Sequence, residues 1–195
     1  MGEIKSALEL ALERTADVQG DRESLEAHEN KQEGKRILSR FLEDPEMDLK
    51  KTLKSYERKR RDQVRRGLFD ALLGNITLPS DQQGMQRIQS LAPAFEAVIE
   101  DRKTLNQIYD QIVQLLSQYL SDRQQLIEQL RQQYEGRMRQ KEDELARQTG
   151  QRIRLDPSQD PEFSQALQQN LQQLQQQYSQ VIDQAREQLE SLYGG

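Results

Sequence analysis

The sequence predicts an all-α protein, an elongated helical bundle built on a long antiparallel, coiled-coil-like helical hairpin that turns near residues 150–160. Three observations point there. Only 34% of the 195 residues are hydrophobic and 31% are charged, which is too little apolar volume for a wide core but enough for narrow stripes between long helices. Trp is absent, and Phe and Tyr number four and six. The apolar residues recur at helical spacing along most of the chain, and a net charge of −5 is modest, so the pattern is not that of a disordered sequence.

Ile4, Leu8, Ala11, Thr15 and Val18 step by 4, 3, 4 and 3, predicting a first helix that stops at Gly20 in a left-handed cap. A second helix is expected from about Ser24 to Glu43. It is polar until Ile37, Leu38, Phe41 and Leu42, so its first half is expected to be exposed or frayed. Together they form an N-terminal region over residues 1–44. Asp44-Pro45-Glu46 then has the composition of a helix start. Asp suits the N-cap, Pro the first position where no N–H is needed, and Glu the positive helix end. The same signature returns at Asp160-Pro161-Glu162. The third helix should run from Pro45 to Leu73, within a region 45–74, and dock on the bundle through Leu49, Leu53, Tyr56, Val64, Leu68 and Leu72.

Residues 80–195 should form the hairpin. Ser80 and Gln83 suggest a capping box, and Pro93 should kink or restart the helix. From Phe95 a stripe of Val98, Leu105, Ile108, Ile112, Leu115, Tyr119, Leu126, Leu130, Tyr134, Met138 and Leu145 continues to Thr149-Gly150. The last helix holds Phe163, Leu167, Leu171, Leu174, Tyr178, Val181, Ala185, Leu189 and Leu192, which average 3.6 residues per step and predict nearly straight helices. Eleven glutamines between Gln165 and Gln188 surround this stripe, good helix formers without charge. The shorter arm spans roughly 45 Å at 1.5 Å per residue. A seam this thin needs further burial, from the third helix or from self-association.

The strongest local charge is basic. Residues 50–66 carry nine Lys or Arg against Glu57 and Asp62, a local +7 that leaves −12 for the rest. Lys54, Arg58, Lys59, Arg61, Arg65 and Arg66 form the candidate binding patch, for an acidic protein, nucleic-acid backbone or anionic lipid. Arg58, Arg61 and Arg65 follow one line while Lys59 and Arg66 point elsewhere, so a solvated helix with its own acidic partners is the plainer expectation. Only Tyr56 is aromatic in the run, so a stacking platform for single strands is missing.

Catalytic chemistry is not expected. The chain has no Cys and one His, and no Gly-rich phosphate loop follows a strand. Disulfides and thiolate metal sites are thereby excluded, and a reducing cytoplasm is the expected location. His28 lies in a polar stretch with Leu25 three residues before it, so the Glu-x-x-His pair of a di-iron bundle is not formed. Neither metal nor cofactor is expected. No stretch is long and apolar enough for a membrane span. Met1-Gly2 with Ser6 matches the start of a myristoylation signal, and Gly194-Gly195 the tail of ubiquitin-like modifiers; both are read as an ordinary start and a helix cap.

The run MGEIKSALELALERTADVQGDRESLEAHE, followed by EGKRILSRFL, resembles the start of a family of short uncharacterised helical proteins of anaerobic bacteria. The resemblance covers about the first 45 residues and implies a bacterial, cytosolic context with no activity attached. In shape the hairpin is similar to coiled-coil stalk and adaptor subunits of rotary ATPases and export machines. The expected function is therefore a non-enzymatic adaptor or scaffold with a protein partner. A nucleic-acid or anionic-surface binder acting through residues 50–66 and a holdase-like chaperone are the alternatives.

Overall fold

The computed structural model describes residues 7–151 and 154–194, with side chains from residue 23 onward. The described residues form helices α1 (Ala7–Glu43), α2 (Leu49–Lys54), α3 (Arg58–Asn75), α4 (Gln82–Gln89), α5 (Ala92–Val98), α6 (Arg102–Thr149) and α7 (Pro161–Gly194), with a 3₁₀ turn at Pro157–Gln159. No strand occurs among them, so the fold is all-α. The chain divides into two compact units, one of Met1–Asn75 with Ser90–Arg102 and the other of Ile76–Gln89 with Lys103–Gly195.

In the first unit α1 is one helix and not two. It continues through Gly20 and Ser24, because a lone glycine among tolerable helix formers costs only about 1 kcal/mol. The side chains of the first predicted stripe, Ile4 to Val18, lie outside the described residues. The polar half of α1 is anchored by a close crossing with α3. A Cβ on Gly34 would overlap the carbonyl oxygen of Val64 and come within 2.7 Å of Gly67 C, and one on Gly67 would lie 2.5 Å from Lys31 Cα. The two backbones therefore touch, and only glycine fits at either position. Around the crossing Ile37, Leu38 and Phe41 of α1 and Val64, Leu68, Phe69 and Leu72 of α3 are all buried. The buried ring of Phe95 on α5 meets Phe69 edge-on at 6.3 Å. Within this unit α3 packs against α1, α2 and α5.

The third helix also begins later than expected and is broken. Asp44 and Pro45 lie in a turn in which the Met47 amide donates to the Asp44 carbonyl (3.1 Å). Asp48 is the cap, its carboxylate accepting from Lys51 N (2.9 Å). The break at Ser55–Glu57 is held by Arg61, whose guanidinium donates to the carbonyls of Tyr56 (2.9 Å) and Lys54 (3.2 Å). The second Asp-Pro-Glu does start a helix: Asp160 accepts from Glu162 N at 2.8 Å, and α7 begins at Pro161. Identical tripeptides thus diverge, because Asp48 offers a competing cap three residues beyond Pro45.

In the second unit Asp81, and not Ser80, caps α4, accepting from Gly84 N at 2.8 Å. This contact with the Gly84 amide is the main reason its carboxyl lies below the usual carboxylate range. The long helix starts at Arg102 and not at Phe95: Ile99 is extended (φ −107°, ψ 133°), and Phe95 and Val98 belong to α5. Its buried stripe is Leu105, Tyr109, Ile112, Leu116, Tyr119, Tyr134 and Met138, so Tyr109 and Leu116 replace the expected Ile108 and Leu115. The Tyr109 hydroxyl donates to the carbonyl of Ile88, and burial raises its pKa. On α7, Ile182 is 2% exposed and Val181 43%, reversing the expected choice. Either residue preserves a mean step of 3.6, so periodicity does not separate them.

These glycines make opposite predictions. Gly34→Ala or Gly67→Ala should destabilise the protein by about 1–3 kcal/mol or more, since backbone must move to admit a methyl group. Gly136→Ala on α6, where a Cβ meets nothing within 4 Å, should stabilise by roughly 0.5–1 kcal/mol. Urea denaturation of the three variants checks both signs.

Candidate functional site

Of the six candidate cations, Lys54, Arg58 and Lys59 are exposed and Arg61, Arg65 and Arg66 are half-buried. Arg61 holds the α2–α3 break. Arg65 Nε donates to the carbonyl of Val98 (2.8 Å), at the end of α5, and its Nη1 lies 3.6 Å from Glu100. Arg66 pairs with Asp70 at 2.7 Å and sits 5.6 Å above the Phe69 ring. Lys59 reaches Glu23 at 3.4 Å, a pair too exposed to contribute much. Lys54 and Arg58 are exposed and without an acidic partner among the described residues. Two of the six candidate cations, Arg61 and Arg65, thus bridge elements of this unit.

Arg60, outside that set, stacks 5.1 Å from the Tyr56 ring and donates to Asn30 Oδ1 at 3.0 Å. Beside it lies a surface groove of about 380 Å³ lined by Glu26, Glu29, Glu57, Lys59 and Arg60, among others. Three carboxylates and two cations give it no preference for an anion. His28 is exposed, with Gln32 at 3.4 Å as its neighbour. No cluster of three metal-ligating side chains exists among the described residues.

The second unit carries a different surface. Aromatic side chains join α6 to α7 at two levels: Tyr119 and Tyr178 at 5.2 Å between ring centres, and Tyr134 and Phe163 at 5.4 Å. The Tyr178 hydroxyl donates to Asp122 Oδ2 at 2.5 Å. Burial, then this bond to a carboxylate, pushes its pKa up to about 12. Contact positions rise along α6 as they fall along α7. Between the two aromatic levels the seam does not close. Leu126 and Leu130 of α6 and Leu167, Leu171 and Leu174 of α7 remain half-buried. A groove of about 360 Å³ opens there, with Leu126 and Leu174 flanked by Gln125, Gln129, Asn170, Gln173 and Gln177.

The connector is tied down at the far end. Lys141 Nζ lies 3.0 Å from Asp160, Glu142 accepts from Leu155 N at 2.6 Å, and Gly150 takes the left-handed conformation (φ 71°) that ends α6. The hydrogen bond between Lys141 and Asp160 holds the carboxyl below, and the ammonium above, their ordinary values. At the other end of α7, Arg186 donates to the Ile76 carbonyl from Nε (3.1 Å) and Nη2 (2.6 Å). Sequence reasoning singles out the cations and misses this groove. The available signal is the missing charge along α7, which periodicity alone marks only as a weakly repelling outer face.

The architecture defines an all-α protein of long paired helices in which no helix among the described residues can cross a membrane. The chain belongs to DUF6657, a family of unknown function, which matches residues 50–191. That match begins beyond the first 45 residues, which carry the N-terminal resemblance. No curated protein and no solved structure matches the chain.

The contacts of the cations can be tested one by one. Arg65→Met should cost about 1.5–3 kcal/mol, because it strips a charged donor from a helix-end carbonyl, whereas Arg58→Met should stay within about 0.5 kcal/mol. Thermal unfolding distinguishes them. Asp160 should titrate below the usual 3.8, and Lys141→Met should move that midpoint up. A lowered carboxyl pKa favours the folded state above the unfolded value, and the benefit disappears as pH falls through the folded one. Carbon-detected NMR of the Asp160 carboxyl gives the midpoints.

Proposed function

We propose that this chain is a non-enzymatic interaction protein in which the antiparallel α6–α7 hairpin is the scaffold and the open middle of its seam is the contact surface. One observation carries the reading. Five leucines lie half-buried between two closed aromatic levels, flanked by amides. Half-exposed leucines in register on two helices offer apolar surface that a partner can cover, and amides at the rim tolerate either solvent or contact. The contact surface therefore moves from the basic helix to the hairpin.

A photo-crosslinking residue at Gln125 or Gln173 should yield adducts in cells that one at Gln140, exposed on α6 outside the groove, does not. Leu126→Asn with Leu174→Asn should reduce those adducts about tenfold or more, at roughly 1 kcal/mol for each half-buried leucine. Equal labelling from all three positions would count against the reading.

A second reading, binding of nucleic-acid backbone through residues 50–66, draws on the exposed Lys54 and Arg58. It requires affinity that falls steeply with salt and is lost on reversing these two charges. Binding insensitive to salt would remove it.

A further inference from the structure

Three features of the groove bear on what covers it. The first is charge. From Phe163 through Ile182 no residue is charged, in a chain where 31% are. On α6 the groove's one carboxylate, Asp122, is occupied by the Tyr178 hydroxyl (2.5 Å) and the Gln118 amide (2.6 Å). A highly charged partner would have to set its charges against neutral amides, losing hydration without gaining an ion pair.

The second is the chemistry of the rim. Gln125, Gln129, Asn170, Gln173 and Gln177 each carry both amide donors and a carbonyl acceptor. A primary amide is therefore complementary to another primary amide, as a carboxylate or an ammonium is not to its own kind. The rim is suited to its own copy.

The third is symmetry of spacing. Phe163, Leu167, Leu171, Leu174, Tyr178 and Ile182 are separated by 4, 4, 3, 4 and 4 residues. The series reads identically in both directions about a centre between Gln172 and Gln173. Two such helices laid antiparallel about that centre place Leu171 level with Leu174, Leu167 with Tyr178 and Phe163 with Ile182. A twofold interface needs this self-complementarity. Phe163 and Ile182 are already buried, so a second copy would cover the four positions between them.

From these features we infer that the groove between α6 and α7 is occupied by the same groove of a second copy of this chain, in a twofold four-helix arrangement around the central leucines. The inference rests on the reading of the seam as the contact surface and names its partner. Two helices over 20 residues give a footprint of about 30 by 20 Å per copy. That is roughly 1,200 Å² in total, at the lower edge of specific interfaces. The dimer is therefore in measurable equilibrium with the monomer.

Sedimentation of the full chain from about 1 to 100 µM should show a monomer–dimer transition. Gln173→Glu/Gln177→Glu and Gln173→Lys/Gln177→Lys each place like charges across the interface at exposed positions. Each should weaken self-association about tenfold or more with circular dichroism unchanged and thermal melting unchanged at low concentration, where the wild type is monomeric, and an equimolar mixture of the two should restore the dimer. A wild-type chain that stays monomeric throughout, charged variants that dimerise as the wild type does, or a mixture that remains monomeric would each overturn the inference. The crosslinking experiment separates the two levels. Groove adducts to a different protein from a monomeric chain overturn the dimer and leave the interaction reading standing, whereas a monomer without groove adducts ends both.

Discussion

In a chain with 31% charged residues, no Trp and only four phenylalanines, each helix has few apolar side chains to offer its neighbour, and this shortage shapes every contact. The first unit solves it by removing side chains. At Gly34 and Gly67 the backbones of α1 and α3 touch, so small stripes such as Ile37, Leu38, Val64 and Leu68 reach full burial. Close approach turns modest side chains into a dry core. The second unit uses the opposite device. Tyr119, Tyr134, Phe163 and Tyr178 span the interval between α6 and α7 with rings, and each ring closes the seam only at its own level. Between those two levels the leucines leave the seam open.

The same shortage governs the cations. An arginine that donates to a helix-end carbonyl replaces hydrogen bonds the backbone has lost, and it does so with a planar group that reaches two acceptors. Arg61 performs this at the α2–α3 break, Arg65 at the end of α5 and Arg186 at the carbonyl of Ile76. Three residues that resemble surface charge in the sequence are thus structural, two of them from the basic run. Residues 163–182 of α7 carry no charge at all, in a chain where 31% of residues do.

Membership of DUF6657 places residues 50–191 in a common pattern, and that span contains both α3 and the α6–α7 seam. The basic helix and the groove therefore both lie inside the matched region. A surface of amides and half-buried leucines needs no reacting group to act, since its free energy comes from removing apolar area from water.

The sequence by itself determined the helical class, the end of α6 at Gly150 and the start of α7 at Pro161, because each follows from local chemistry: spacing, a left-handed glycine, or a carboxylate above open amides. It also determined that charge is absent from residues 163–182. Tertiary structure decided the rest. Gly34 and Gly67 look like weak points in two helices until they are seen to face each other. Asp48 prevails over Asp44 as a cap because the helix that starts there buries Leu49 and Leu53. Ile182 is buried and Val181 is not, although both satisfy one period. Arg61 bonds carbonyls within the basic run, Arg66 pairs with Asp70 on its own helix, and Arg65 reaches the Val98 carbonyl of α5. Periodicity names the stripe that seeks a neighbour, but only the fold supplies the neighbour, and so decides which residues are covered, which are paired and which remain open.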